Sequence, residues 1–257
     1  VDLDKIEHNF KVIQQHAPNS KIMAVVKADA YGHGDAVVAT TLEAAGASRF
    51  AVSGFAEALR LRRAGITKPI LVLGYTSPQK AAMLAINSIT QSVYSLDYAR
   101  ELSQAALAAD VTVNMHIKLD TGMGRIGFAV RDDMDTALAQ VREATSLPGL
   151  QRGGVFTHFA VADSNLPADI AYTHSQYELF CEAIRQLAAM GVTFPLAHCC
   201  NSAAILAYPE MQMDIVRPGI ILYGYRPSTD VTCDELEGAL ELKAVVSLVK
   251  PIKKGDD

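Results

Sequence analysis

One lysine stands where a lysine is chemically useful. Lys27 follows an apolar run, Ile22 to Val26, and precedes the polar stretch Ala28-Asp29-Ala30-Tyr31-Gly32-His33-Gly34. The run reads as a short buried strand. Burial at its end disfavours the ammonium form, and a neutral amine is a nucleophile and a Schiff-base former. A lysine that only extends its stem out of the strand end is the competing reading. Further reactive groups recur after later apolar runs: Lys118, Asp120 and Arg125, then His158, then Asn201 and Ser202, then Arg217 and Gly219.

These residues need elements to position them. Asp4 is read as the cap of a first helix, with Ile6, Phe10 and Ile13 on one face. Short apolar runs then alternate with helical patterns. Strands are expected over 22–26, 50–53, 70–73, 89–93, 111–117, 154–156, 196–199 and 213–216. Helices are expected over 35–45, 56–64, 79–87, 96–109, 132–145, 168–190 and 202–207. Strand-like segments each followed by a helix or helical turn predict an α/β fold of the (β/α)₈ TIM-barrel type. A doubly wound sheet shares the same local signals. In a barrel the site lies at the carboxyl ends of the strands, where all the reactive residues fall. The loops after the last two strands are the usual phosphate site of that fold. Ser202 begins a helix there, so it either meets a phosphate or serves as a plain N-cap, both roles using the same free amides. Gly219 permits close backbone approach to an anion, or simply a turn.

The 257 residues carry a net charge of −5 and are 50% apolar, ample for a large core. The mild acidity offers no electrostatic footprint for nucleic acid or an anionic membrane surface. No run is long and apolar enough to span a bilayer. Cys181, Cys199, Cys200 and Cys233 lack CxxC spacing, so reduced thiols and a cytoplasmic setting are expected. Residues 1–225 are expected to form the barrel, 226–239 a polar linker, and 240–257 the first strand of an incomplete C-terminal β-domain. The start at Val1 and the stop soon after that strand suggest a piece of a longer protein.

The Lys27 stretch resembles the lysine motif of the alanine racemase family, in which the lysine holds pyridoxal 5′-phosphate (PLP). The resemblance runs over nearly the whole chain. It implies that Lys27 is the cofactor lysine and the base on one face of the substrate, and that Tyr31 contacts the phosphate. Lys118-Leu119-Asp120-Thr121-Gly122-Met123-Gly124-Arg125 is similar to the segment holding a carbamylated lysine and the arginine it positions. His158, in Phe156-Thr157-His158-Phe159, resembles a histidine beside the cofactor ring. Asn201-Ser202 resembles the phosphate-binding pair. Arg217-Pro218-Gly219-Ile220 resembles the arginine facing the pyridine nitrogen, followed by the Gly219 and Ile220 amides that grip the phosphate. No metal is implied. Lys118 beside Arg125 would set two cations together, and a carbamate on Lys118 turns that clash into a salt bridge. An outward-pointing Lys118 is the alternative.

The activity so implied is racemisation of alanine, supplying D-alanine for peptidoglycan. The implied partners are a small amino-acid substrate and, for the full-length protein, a second copy in a homodimer. The family's second base is a tyrosine of the β-domain, reaching in from the partner subunit. The isolated chain is therefore expected to be poorly active, and neither Tyr223 nor Tyr225 is assigned that role. Serine racemisation by the same family is one alternative, and a non-catalytic PLP-binding barrel is another. A decarboxylase of basic amino acids would be expected to place an acid, not Arg217, at the ring nitrogen.

Overall fold

The computed structural model describes residues 1–255. Eight parallel strands form one sheet: β1 (Lys21–Val25), β2 (Arg49–Val52), β3 (Ile70–Val72), β4 (Ile89–Val93), β5 (Val113–Lys118), β6 (Leu150–Phe156), β7 (Ala197–His198) and β8 (Ile215–Val216). The hydrogen-bonded order is β7-β6-β5-β4-β3-β2-β1-β8. Sequential pairing throughout, with β1 beside β8, is the barrel and not the doubly wound sheet. The seam between β7 and β8 is joined just past the strand ends, where the Arg217 amide donates to the Cys200 carbonyl at 3.0 Å. The Asp214 carboxylate accepts the Ala197 amide at 2.7 Å across the same seam.

The helices are α1 (Leu3–His16), α2 (Lys27–Gly32), α3 (Asp35–Ala45), α4 (Phe55–Arg63), α5 (Ala81–Ile86), α6 (Leu96–Ala108), α7 (Met134–Ser146), α8 (Pro167–Ala189) and α9 (Ser202–Ala207). Alternation along each strand sends one set of side chains outward against them. Ile22, Ala24, Phe50, Val52, Met115 and Ile117 belong to this outer core. Each such large side chain contributes about 1.5–3 kcal/mol by leaving water. The other set points inward, and Met23, Val25, Ala51, Leu71 and Ile215 meet inside the barrel. His116, Lys118, His198 and Arg217 occupy further inward positions and are also buried. Buried polar groups need partners. That requirement organises the site described below.

Two helix caps differ from those expected. The first helix is capped by Asp2, whose carboxylate accepts the amides of Asp4 at 3.1 Å and Lys5 at 3.2 Å, and not by Asp4. The α9 cap is Asn201, not Ser202. Residues 240–255 form no strand; Leu242, Val245, Leu248 and Val249 are exposed. A strand needs a hydrogen-bonding neighbour, and among the described residues none pairs with this stretch. Residues 256 and 257 of the expected strand lie outside the described residues. The stretch 226–239 is irregular and docked on α1. Asn9 donates to the Glu237 carbonyl at 2.8 Å and accepts the Glu237 amide at 2.8 Å.

Candidate active site

The segment after β1 is shaped by backbone geometry that its residue types do not advertise. Ala28, Asp29, Ala30 and Tyr31 all have φ between 52° and 55°, a full left-handed helical turn without glycine. Such residues cost roughly 1–2 kcal/mol each relative to the right-handed form. The turn is pinned from outside. Glu57 on α4 accepts the Ala28 amide at 2.8 Å, and the Asp29 carboxylate accepts the Asp35 amide at 2.9 Å. The turn puts Lys27 and Tyr31 on one side, with the Lys27 ammonium 5.9 Å from the Tyr31 ring centre. Lys27 is half-buried rather than sequestered.

Lys27, Tyr31, Lys118, Arg125, His158 and Arg217 line one cavity of about 340 Å³ at the carboxyl ends of the strands. Asn201, Ser202, Gly219 and Ile220 line it too. The residues singled out in the sequence therefore reach the same space, except Asp120, whose carboxylate accepts the Gly122 amide at 2.9 Å and the Gly124 amide at 3.1 Å.

Arg217 is the electrostatic centre. It is buried, and its Nη2 donates to the carbonyls of Thr157 at 2.7 Å and Cys199 at 2.9 Å. Its Nη1 donates to His198 Nδ1 at 2.7 Å. Nε–H and one Nη1–H keep no acceptor among the described residues, and Arg217 lines the cavity, so a charged donor is left unspent beside it. Burial pulls the guanidinium down to about 10, still well above neutrality. Burial and then the Arg217 charge hold His158 and His198 well below the usual imidazole range, so both rings are neutral.

Lys118 is the buried lysine. Its ammonium donates to the Leu119 carbonyl at 2.7 Å and lies 5.5 Å from the Phe156 ring centre. Arg217 sits 5.5 Å from the centre of the same ring. Burial, followed by the Arg217 charge, brings Lys118 down to about 7, while Arg125 is the smallest contributor. The cation pressing on Lys118 is thus mainly Arg217, and Arg125 stands exposed at the cavity rim. The outward-pointing alternative for Lys118 does not hold.

The loops after β7 and β8 meet at the far end of the cavity. Asn201 takes the capping duty, its side-chain oxygen accepting the Ala204 amide at 3.1 Å. This leaves the Ser202 hydroxyl to accept the Gly219 amide at 2.9 Å, tying the loops after β7 and β8 together. Gly219 is required by crowding: a Cβ there would lie 2.6 Å from the Tyr31 hydroxyl oxygen. Gly219→Ala is expected to displace Tyr31 and weaken phosphate binding about tenfold or more. Removing the hydroxyl with Tyr31→Phe relieves the closest contact, leaving the next at 3.4 Å. The double variant should then lose less than the two single losses combined, as read from phosphate-ester titrations in a double-mutant cycle.

Sequence reasoning missed His198 and His116. His116 Nδ1 lies 2.9 Å from His198 Nε2, and both rings are buried inside the barrel. The available signal was alternation. His198 and His116 share inward positions with Arg217 and Lys118 on neighbouring strands.

The family described as "Alanine racemase, N-terminal domain" matches residues 1–227. The alanine racemase of Desulforamulus reducens is 43% identical over 258 residues, covering 99% of this chain and 68% of that protein. The alanine racemase of Clostridium perfringens is 45% identical over 254 residues, covering 98% of this chain and 64% of that protein. Among solved structures, the alanine racemase of Clostridium difficile in complex with cycloserine superposes with a TM-score of 0.85 at 37% identity. It covers 92% of this chain and 64% of that one. The chain thus spans about two thirds of the length of the relatives it matches.

Proposed function

Because this chain belongs to the alanine racemase family, we propose that it forms the PLP-binding barrel of an enzyme interconverting L-alanine and D-alanine. The product D-alanine would serve peptidoglycan synthesis. A homodimer of the full-length protein and a cytoplasmic setting belong to the same proposal. One observation carries it: a free lysine amine, a spare arginine donor and a serine–glycine cradle converge on one cavity. That set fits PLP: an amine for its aldehyde, a donor for its ring nitrogen, and a cradle for its phosphate.

Bound PLP withdraws electron density from the substrate α-carbon and weakens its Cα–H bond. The residues supply the rest. Lys27 would hold the cofactor through its amine, and the same amine is placed to take the α-proton on its own face. Arg217 would face the ring nitrogen as a donor that does not surrender its proton, which would limit how much negative charge that nitrogen accepts. Tyr31, Ser202 and the Ile220 amide would bind the phosphate, with Gly219 allowing close approach of the backbone and Asn201 capping α9. His158, neutral and lining the cavity, would pack beside the ring. Tyr223 is fully buried and donates to the Val25 carbonyl at 3.0 Å, so it offers no acid–base group to the cavity.

α-Deuterium exchange tests this reading. PLP-loaded protein in D₂O, offered both alanine enantiomers, should exchange the α-hydrogen of the one whose Cα–H faces Lys27, faster than for serine. Net inversion by the isolated chain should be slow. No exchange above free PLP, or preference for serine, would contradict the proposal.

Lys118 gives a pH-dependent prediction. Only the neutral amine reacts with CO₂, and at about 7 its titration lies within the working range. Carbamate on Lys118 should rise as pH increases from 6 to 8 in bicarbonate and be absent in Lys118→Met, read by ¹³C NMR with labelled bicarbonate. The carbamate would bring a negative charge toward Arg125 and Arg217. The unmodified amine also affects stability. Between pH 7 and 10.5 the unfolded chain binds the proton that the folded chain lacks, so this site's contribution to stability rises with pH.

A further inference from the structure

The histidines behind Arg217 lead through the barrel to its opposite end. Arginine only donates hydrogen bonds. His198 Nδ1, 2.7 Å from Arg217, must therefore accept, which places the proton on Nε2. His198 Nε2–H then donates to His116 Nδ1 at 2.9 Å, which places the second proton on His116 Nε2. Burial keeps His116 neutral, at about 3. The relay is built into the backbone: a Cβ on Gly154 would come within 2.7 Å of the His116 ring. Its terminal donor belongs to a ring that lines a second cavity, of about 440 Å³, at the amino-terminal ends of the strands.

That cavity is rich in cations. Arg49, Arg62 and Arg152 line it, with Thr90 and Asn114 between them, and no carboxylate lines it among the described residues. Arg62 is committed to the carbonyls of Asn87, Ile66, Lys68 and Ser88. Glu43, whose charge acts on Arg62, is itself committed to the Thr67 and Lys68 amides. Arg49 is different. It is half-buried, its pKa is lowered by burial, and it has no hydrogen bond or ion pair among the described residues. Arg152 is exposed and equally unpaired among them. A half-buried guanidinium without an acceptor is costly unless an anion joins it.

We propose that the amino-terminal mouth of the barrel binds a small oxyanion of the phosphate class, held by Arg49, Arg152 and the Nε2–H of His116. The donors match a tetrahedral oxyanion, and the cavity admits either the free ion or a small phosphomonoester. The occupant would be joined to Arg217 through three hydrogen bonds in series, by way of His116 and His198.

The test is calorimetric titration of PLP-loaded protein with inorganic phosphate and, separately, glycerol 3-phosphate, paired with ¹⁵N-histidine NMR. Binding should weaken about tenfold or more in Arg49→Gln and in Arg152→Gln. Without anion the melting temperature should not fall in either variant, since neither side chain has a partner to lose, and Arg49→Gln should raise it by removing a desolvated charge. The His116 Nε2 resonance should move on binding. Tighter binding of the ion assigns the site to free phosphate, and tighter binding of the ester assigns it to a phosphomonoester. Equal binding by wild type and both variants, no binding at about 10 mM, or a fixed His116 resonance would overturn the proposal. A phosphate held in the upper cavity would be insensitive to both substitutions, so failure of the PLP reading is scored separately.

Discussion

Lys27→Ala is expected to remove enzyme-catalysed α-proton exchange while leaving the fold intact. A positioned general base contributes about 10²–10⁴-fold in rate, and here the same amine also anchors the cofactor, so the loss should lie at or above that range. The structural cost is small. Lys27 is half-buried, and its recorded contact is the Tyr31 ring at 5.9 Å. Stability should stay within about 0.5 kcal/mol of the parent, as for substitutions that break no buried contact. Urea unfolding and exchange kinetics measured together check the pair of expectations. Partial recovery by added methylamine would attribute the loss to the missing base. Exchange that persists at the parent rate would remove Lys27 from the chemistry.

Arg217→Met is expected to behave in the opposite way, losing the fold before the chemistry can be assessed. The substitution orphans the Thr157 carbonyl, the Cys199 carbonyl and His198 Nδ1, all buried with their partner. Each unsatisfied group costs about 1–3 kcal/mol, which together is a large share of a domain's stability. Arg217→Lys should retain part of it, because an ammonium reaches fewer of these acceptors than the planar fork. In that milder variant, PLP affinity should fall, because the spare donor facing the cavity is lost or displaced. A parent-like unfolding midpoint for Arg217→Met would refute the clamp.

The barrel was legible because its determinants are local. Runs such as Ile22–Val26 and Ile89–Val93, separated by helical patterns, specify strand, break and helix with little need of distant contacts. The carboxyl-end rule then gathered Lys27, His158 and Arg217 on one rim before any geometry was known. What was illegible depended on contacts across the fold. Nothing in Ala28-Asp29-Ala30-Tyr31 encodes positive φ; the left-handed turn exists because Glu57 and Asp29 hold it. Arg217 outranks Arg125 as the charge on Lys118 because the inward positions at the carboxyl ends of β5 and β8 converge inside the closed barrel, a pairing 99 positions apart in sequence. The caps at Asp2 and Asn201 were each displaced from the residue expected, by two positions and one, because neighbouring polar side chains compete for the same amides. The apolar stretch after 239 carries strand-like residue types, and residue type alone does not supply a pairing neighbour.

The central claim is that Lys27 holds PLP in the upper cavity. The most direct test is to load the protein with PLP, reduce with borohydride, and map the modified peptide by mass spectrometry. The account predicts a single phosphopyridoxyl group on Lys27, absent from Lys27→Ala and abolished in the parent by prior blockage of the cavity. Labelling of another lysine, or scattered labelling of surface lysines, would contradict it.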